Sequence, residues 1–161
     1  MSLVQRVQQE LPSLIGTGPG AVTVSDGSTC ELSIDFSQVD SLSCSLREMR
    51  ISVPSLAASG MDQLEDWAHE LSQRISYLLE NIGPLEVDAT NQQILIRSTP
   101  PDKTGHCTRF YEIMLAAHAG GNFSLRRYES QQGQPGRTAV DIHMTHEVLL
   151  KLVHDVVDSI P

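Results

Sequence analysis

Aromatic residues are scarce in this chain: Phe, Trp and Tyr make up 4% of its 161 residues. With 40% of the sequence hydrophobic, a core built from it is mainly aliphatic. Cysteine is scarce too. Cys30, Cys44 and Cys107 suit a reducing compartment better than a disulfide scaffold. If residues 37–41 turn between two strands, Phe36 pairs with Leu42 and Ile34 with Cys44. Cys30 then lies roughly 13 Å from Cys44, too far to bridge. No apolar run approaches the length of a bilayer span. Met1 to Arg6 lacks the basic start and apolar block of a signal peptide, so the expectation is a cytoplasmic protein with no membrane contact. Basic residues are outnumbered, 11 against 20 acidic, for a net charge of −9. Such a balance argues against general nucleic-acid binding, which draws on neutralised phosphates.

What is present is patterning. At 161 residues the chain suits one α+β domain spanning 1–161. Met61 to Ile82 predicts an amphipathic helix: Leu64, Ala68, Leu71, Ile75, Leu78, Leu79 and Ile82 recur at helical steps. Ser59 is placed to cap it and Gly83-Pro84 to stop it. A first helix is predicted from about Leu3 to Ile15, with Ser2 and Gln5 spaced as a capping box and Pro12 ending or tightening it early. Three strands follow. An odd-length loop after Val24 pairs Val24 with Cys30 and Val22 with Leu32, which keeps the apolar residues on one face. The third strand changes parity at Arg47-Glu48, the mark of a β-bulge.

Beyond residue 84, Leu85–Val87 and Ile94–Ile96 flank a polar turn, and 98–106 reads as an exposed loop. Residues 108–118 are ambiguous, since Phe110 to Ile113 favours a strand and Met114 to Ala117 a helix that Gly120 could cap; the alternation of Tyr111 to Leu115 favours a strand, paired with 123–129 through Gly120-Gly121. Val140, Ile142 and Met144 form a last strand, and Thr145 caps a helix carrying Val148, Leu149, Leu152, Val153, Val156 and Ile160. The sum is an antiparallel, strongly bent sheet with a central amphipathic helix and both terminal helices packed on it.

Four groups of residues invite chemistry. Asp141 and His143 share a strand face, and His146 opens the next helix, so a carboxylate and two imidazoles form a metal candidate for a hydrolase-like enzyme. A polar strand face running into a helix start explains the same residues. His106-Cys107 suggests thiol catalysis, but adjacent side chains of an extended segment point apart, and a dyad needs a thiolate within reach of its base. Glu65-Asp66 falls on the wet side of the central helix, where nothing perturbs a carboxylate. Residues 97–137 hold six basic and three acidic side chains, against four and thirteen in 1–96. In that basic middle, Arg126 and Arg127 offer an anion-sensing alternative, although a solvated face explains such charge as well.

Trp67 lies beside the buried stripe of the central helix, as core edge or as an interface anchor. The order helix, three strands, helix, four or five strands, helix, in a small acidic chain, is similar to that of small secretion chaperones. That resemblance lies in element order and assigns no site residues; it implies a dimer that holds a partner's extended segment. The favoured expectation is a protein-interaction module without a cofactor, partnered by another protein or by itself, with Trp67, Arg126, Arg127 and Tyr128 as candidate interface residues.

Overall fold

A computed structural model describes residues 1–27, 29–77, 82–98, 102–117 and 121–161. It shows an α+β fold with three α-helices and an antiparallel ten-stranded sheet among those residues. Helix α1 (Leu3–Leu14) opens with the capping box: Gln5 N donates to Ser2 Oγ at 3.2 Å, and Ser2 N donates to Gln5 Oε1 at 2.9 Å. Pro12 sits inside this helix and does not stop it. It falls in the last turn, where little helix remains to be broken.

Strands β1 (Gly20–Ser25), β2 (Glu31–Val39) and β3 (Ser43–Ser52) form a meander. Val24 pairs with Leu32 and Val22 with Ile34, two residues beyond the expected partners but on the expected face. The cause is a five-residue loop organised by Asp26, whose carboxylate accepts from Thr29 N at 3.1 Å and Cys30 N at 2.9 Å. The second turn is tighter than predicted: Val39 pairs with Cys44 and Phe36 with Leu46, leaving Leu42 exposed at the tip. Register slips past Arg47, as its parity change indicates, and also past Ser37.

Strands β4 (Ile82–Asp88), β5 (Gln93–Ser98), β6 (Asp102–Thr104), β7 (Cys107–Ala116) and β8 (Asn122–Gln131) complete most of the sheet. Residues 108–116 are strand, paired with β8 as expected. Part of the predicted loop 98–106 is the short β6. The predicted last strand divides, so that with the short β6 seven strands, not the expected four or five, separate the central and last helices among the described residues. Strand β9 (Thr138–Val140) pairs with β8, whereas β10 (Ile142–Thr145) pairs with β3. Strand β8 follows β3 only from Asn122 to Leu125, and β9 and β10 take up the edges that open beyond that point.

Two apolar rows cross the sheet. Val24, Leu32, Ile51, Phe123, Leu115 and Ile94 are successive cross-strand partners, as are Val22, Ile34, Met49, Leu125, Ile113 and Ile96. All but Val22 are buried in one cluster with the helices' apolar stripes. Helix α1 packs on β1 and β2. Helix α2 (Met61–Arg74) packs on β4, β5 and β7, and α3 (His146–Asp158) on β10, α1 and α2. Thr145 caps α3, its Oγ1 accepting from Val148 N at 3.1 Å.

Helix α2 is shorter than the predicted 61–82. Its N-cap is Gly60, and Ser59 instead ends a 3-10 turn, Pro54–Ala58. Its C-cap is Ile75. Ties to α3 fix that end: Arg74 Nη1 meets Asp158 Oδ2 at 2.5 Å, and Tyr77 Oη donates to Asp155 Oδ2 at 2.8 Å. Leu78 and Leu79 lie outside the described residues. Gly83 and Pro84 belong to β4, an edge strand, where a proline's missing N–H is tolerated.

Candidate functional site

Strand alternation gives the sheet a second face, opposite the apolar rows, and charge concentrates there. Glu112 of β7 pairs across the ladder with Arg126 of β8 and with Arg97 of β5. Arg126 in turn forms an ion pair with Glu48 of β3, which is opposite Asp35 of β2. The result is a row of side chains across five strands, acidic at Asp35 and Glu48 and alternating in sign from Glu48 to Arg97. Opposite charges placed directly across strands stabilise pairing.

Glu112 lies between Arg126 and Arg97 in this row and is only 9% exposed. Arg97 Nε donates to its Oε2 at 3.0 Å. Arg137, from the turn before β9, donates from Nη1 to Oε2 at 2.5 Å and from Nη2 to Oε1 at 3.1 Å, a two-pronged clasp. Hydrogen bonding to Glu112 raises the Arg137 pKa above its ordinary value.

Both arginines also stack. Arg97 lies 5.1 Å from the centroid of Phe110, and Arg137 lies 3.8 Å from that of Tyr128. The two rings are cross-strand partners with centroids 5.9 Å apart. Next to them is a shallow depression of about 230 Å³, lined by Glu48, Arg50, Glu112, Met114, Ser124, Arg126 and Tyr128. Arg50 Nε meets Glu48 Oε1 at 3.2 Å. The surface thus carries cations, half-buried rings and a thioether side by side.

No family model, curated protein or solved structure matches the chain.

The residues singled out from the sequence fall in several places. Arg126 and Tyr128 are on this face. Arg127, one residue between them, projects to the other side, where its guanidinium lies 4.8 Å from the centroid of Tyr111. Arg126 and Arg127 therefore do not form one anion site. Trp67 is 0% exposed, and its Nε1 donates to Ser159 Oγ at 2.9 Å, so the core placement holds and the ring presents nothing to a partner.

Asp141, His143 and His146 do not converge. His143 Nδ1 is 2.7 Å from Ser45 Oγ on the exposed face, opposite buried Ile142 and Met144. His146 Nε2 turns back to the Ser43 carbonyl at 3.1 Å. Among the described residues, no group of three His, Cys, Asp or Glu side chains could hold a metal ion. No helix there is long and apolar enough to cross a membrane.

His106 and Cys107 point to different partners, Gln132 Oε1 at 3.0 Å and Glu129 Oε1 at 3.5 Å. His118, a more distant histidine that could serve as base to the Cys107 thiol, lies outside the described residues. Donation to the Glu129 carboxylate holds the Cys107 pKa above its ordinary value, against the thiolate that nucleophilic catalysis needs. Alkylation of Cys107 at neutral pH is therefore expected to run slower than that of a solvent-exposed thiol. Glu129→Gln is expected to speed it. Peptide mass spectrometry of a timed iodoacetamide reaction checks both, and equal rates in the two chains would remove the carboxylate as the cause.

Phe110, Glu48 and Glu112 escaped sequence reasoning. Phe110, Glu112 and Met114 alternate with Tyr111, Ile113 and Leu115, so their common face was available from periodicity. What they meet across the ladder was not, because it depends on a register set by turns elsewhere.

Proposed function

We propose that the chain is a protein-interaction module of the cytoplasm that receives an acidic, extended segment of a partner on the helix-free face of its sheet. The observation that carries this reading is Glu112, almost buried on an otherwise open face, clasped by two arginines that each lie on an aromatic ring. Arginine and tyrosine are over-represented among residues that dominate binding energy, and partly buried rings flanked by polar groups suit such a surface. Four guanidinium groups, Arg50, Arg97, Arg126 and Arg137, surround two carboxylates, Glu48 and Glu112. Each arginine has five N–H donors, more than a single carboxylate takes. On a chain of net charge −9 this local excess favours an anionic partner over a cationic one. Free thiols at Cys30, Cys44 and Cys107 support a reducing compartment.

A peptide array in which acidic sequences are paired with charge-reversed copies tests the proposal. Acidic members are expected to bind, more weakly at high salt. Arg137→Glu and Arg126→Glu are each expected to weaken that binding about tenfold or more, equivalent to about 1.4 kcal/mol. Equal binding of both charge classes, or binding indifferent to Arg137→Glu in a folded variant, would overturn it.

A further inference from the structure

We infer that a second copy of this chain pairs with the outer edge of β1, extending the sheet across a two-fold axis at Thr23. This goes beyond the arginine–aromatic face and does not depend on it. Strand β1 ends the sheet: among the described residues it pairs with β2 alone. The direction of its backbone groups follows from one bond. Asp26 N donates to Cys30 O at 3.2 Å, so Asp26 turns its N–H toward the β2 side, although Cys30 N returns to the Asp26 carboxylate and not to its backbone oxygen. Hydrogen-bonded pairs alternate along an antiparallel ladder, so Val24, Val22 and Gly20 turn their backbone groups to β2. Ala21, Thr23 and Ser25 turn theirs outward.

Those three residues are self-complementary. With two antiparallel copies related at Thr23, Thr23 meets its symmetry mate, and Ala21 meets Ser25 of the other copy. Each pair exchanges both N–H to C=O bonds. In the same register Val22 lies beside Val24 of the second copy, in the non-hydrogen-bonded position where side chains approach closest. Both valines share the face of the apolar rows, so the rows run on into the second copy. Moving one copy by a single residue would set valine against the open face.

Two further features favour a second copy as the occupant. An exposed edge in a natural protein is usually blunted by charge, proline or a bulge. At the opposite end of the sheet, β4 has Pro84 and a register break between Pro84 and Glu86. The β1 sequence, Gly-Ala-Val-Thr-Val-Ser, has none of these. Charge permits a second copy at this edge. Two chains of net charge −9 repel across most of their surfaces, but residues 1–25, which include β1 and the helix packed beside it, hold one base and one acid, Arg6 and Glu10. An isologous contact there meets no net repulsion.

Sedimentation velocity at micromolar concentration tests the inference. The wild-type chain is expected to run at twice its chain mass, and Thr23→Pro at the single mass with unchanged far-ultraviolet circular dichroism. Proline removes an outward N–H and no bond to β2. Val87→Lys, on the β4 edge, is expected to keep the double mass. A Thr23→Cys, Cys107→Ser chain is expected to cross-link to a covalent dimer on mild oxidation. The two Thr23 Cα atoms of a hydrogen-bonded pair lie about 5.5 Å apart, within disulfide reach. A wild-type chain of single mass, a folded Thr23→Pro chain of double mass, or no cross-link from the cysteine variant would each overturn the inference.

Discussion

Gly121→Ala is expected to destabilise the chain by about 3–5 kcal/mol, as left-handed strain and overpacking add. Gly121 is the buried residue immediately before β8, with φ at 80°, where side-chain-bearing residues are strained. A Cβ there would lie 2.4 Å from Val53 O and 2.5 Å from Leu56 Cβ. Neither neighbour can yield cheaply. Val53 O is backbone at the end of β3, and Val53 N is itself held by Gly121 O at 3.0 Å. Leu56 is 1% exposed, locked in the 3-10 turn that leads to α2. Gly133→Ala is the control, because Gly133 has φ at 82° with nothing within 4 Å of its would-be Cβ. That substitution is expected to cost only the conformational strain, about 1–2 kcal/mol. Urea denaturation of the two variants isolates the clash, and equal losses would mean that β3 and the residue before β8 are not in close contact.

The sequence reveals most where partners are close along the chain. Ser2 with Gln5 and Thr145 with Val148 form caps three residues apart, so their spacing alone identifies them. The bulge at Arg47 is readable because a change of parity must turn one apolar run to the same face as the next. Strand 107–116 is readable for a related reason: its alternation outweighs the helical propensity of Met114 to Ala117. Loop lengths are less accessible. Val24 finds Leu32 and not Cys30 because the Asp26 carboxylate organises a longer loop, and hydrophobic patterning cannot separate two registers of equal parity.

The end of α2 and the charged face were hidden for a deeper reason. Helical periodicity continues past Arg74, but Arg74, Tyr77 and Trp67 are tied to Asp158, Asp155 and Ser159, eighty or more residues later in most cases. Tertiary contacts of that span override local propensity. In the same way, Glu112 reads as one polar position in an alternating strand. Its meaning comes from Arg97 and Arg137, delivered by a neighbouring strand and by a distant turn. Asp141, His143 and His146 illustrate the opposite error, since proximity in sequence suggested a cluster. The backbone there leaves β9 at Asp141, joins β3 as β10 and then enters α3, which sends the two imidazoles to Ser45 and Ser43.

Trp67→Ala is expected to cost about 3–5 kcal/mol, the range for deleting a buried aromatic side chain. The ring is fully enclosed, with its centroid 6.4 Å from that of Phe123 on β8. Its Nε1 donates to Ser159 Oγ, and Ser159 Oγ donates onward to Val156 O at 2.8 Å. One side chain therefore joins α2, the sheet and the C-terminal turn of α3. The hydrogen bond separates from the packing by substitution. Trp67→Phe keeps much of the apolar contact and loses the donor. Ser159→Ala keeps the indole and leaves its N–H buried without an acceptor, a loss of about 1–3 kcal/mol. Because the two residues touch, the double variant is expected to lose less than the single losses added together. Urea melts of the four chains supply the cycle. Strict additivity would show that the bond contributes nothing, and a Trp67→Ala loss below about 1 kcal/mol would place the ring outside the core, against the range for buried aromatic residues.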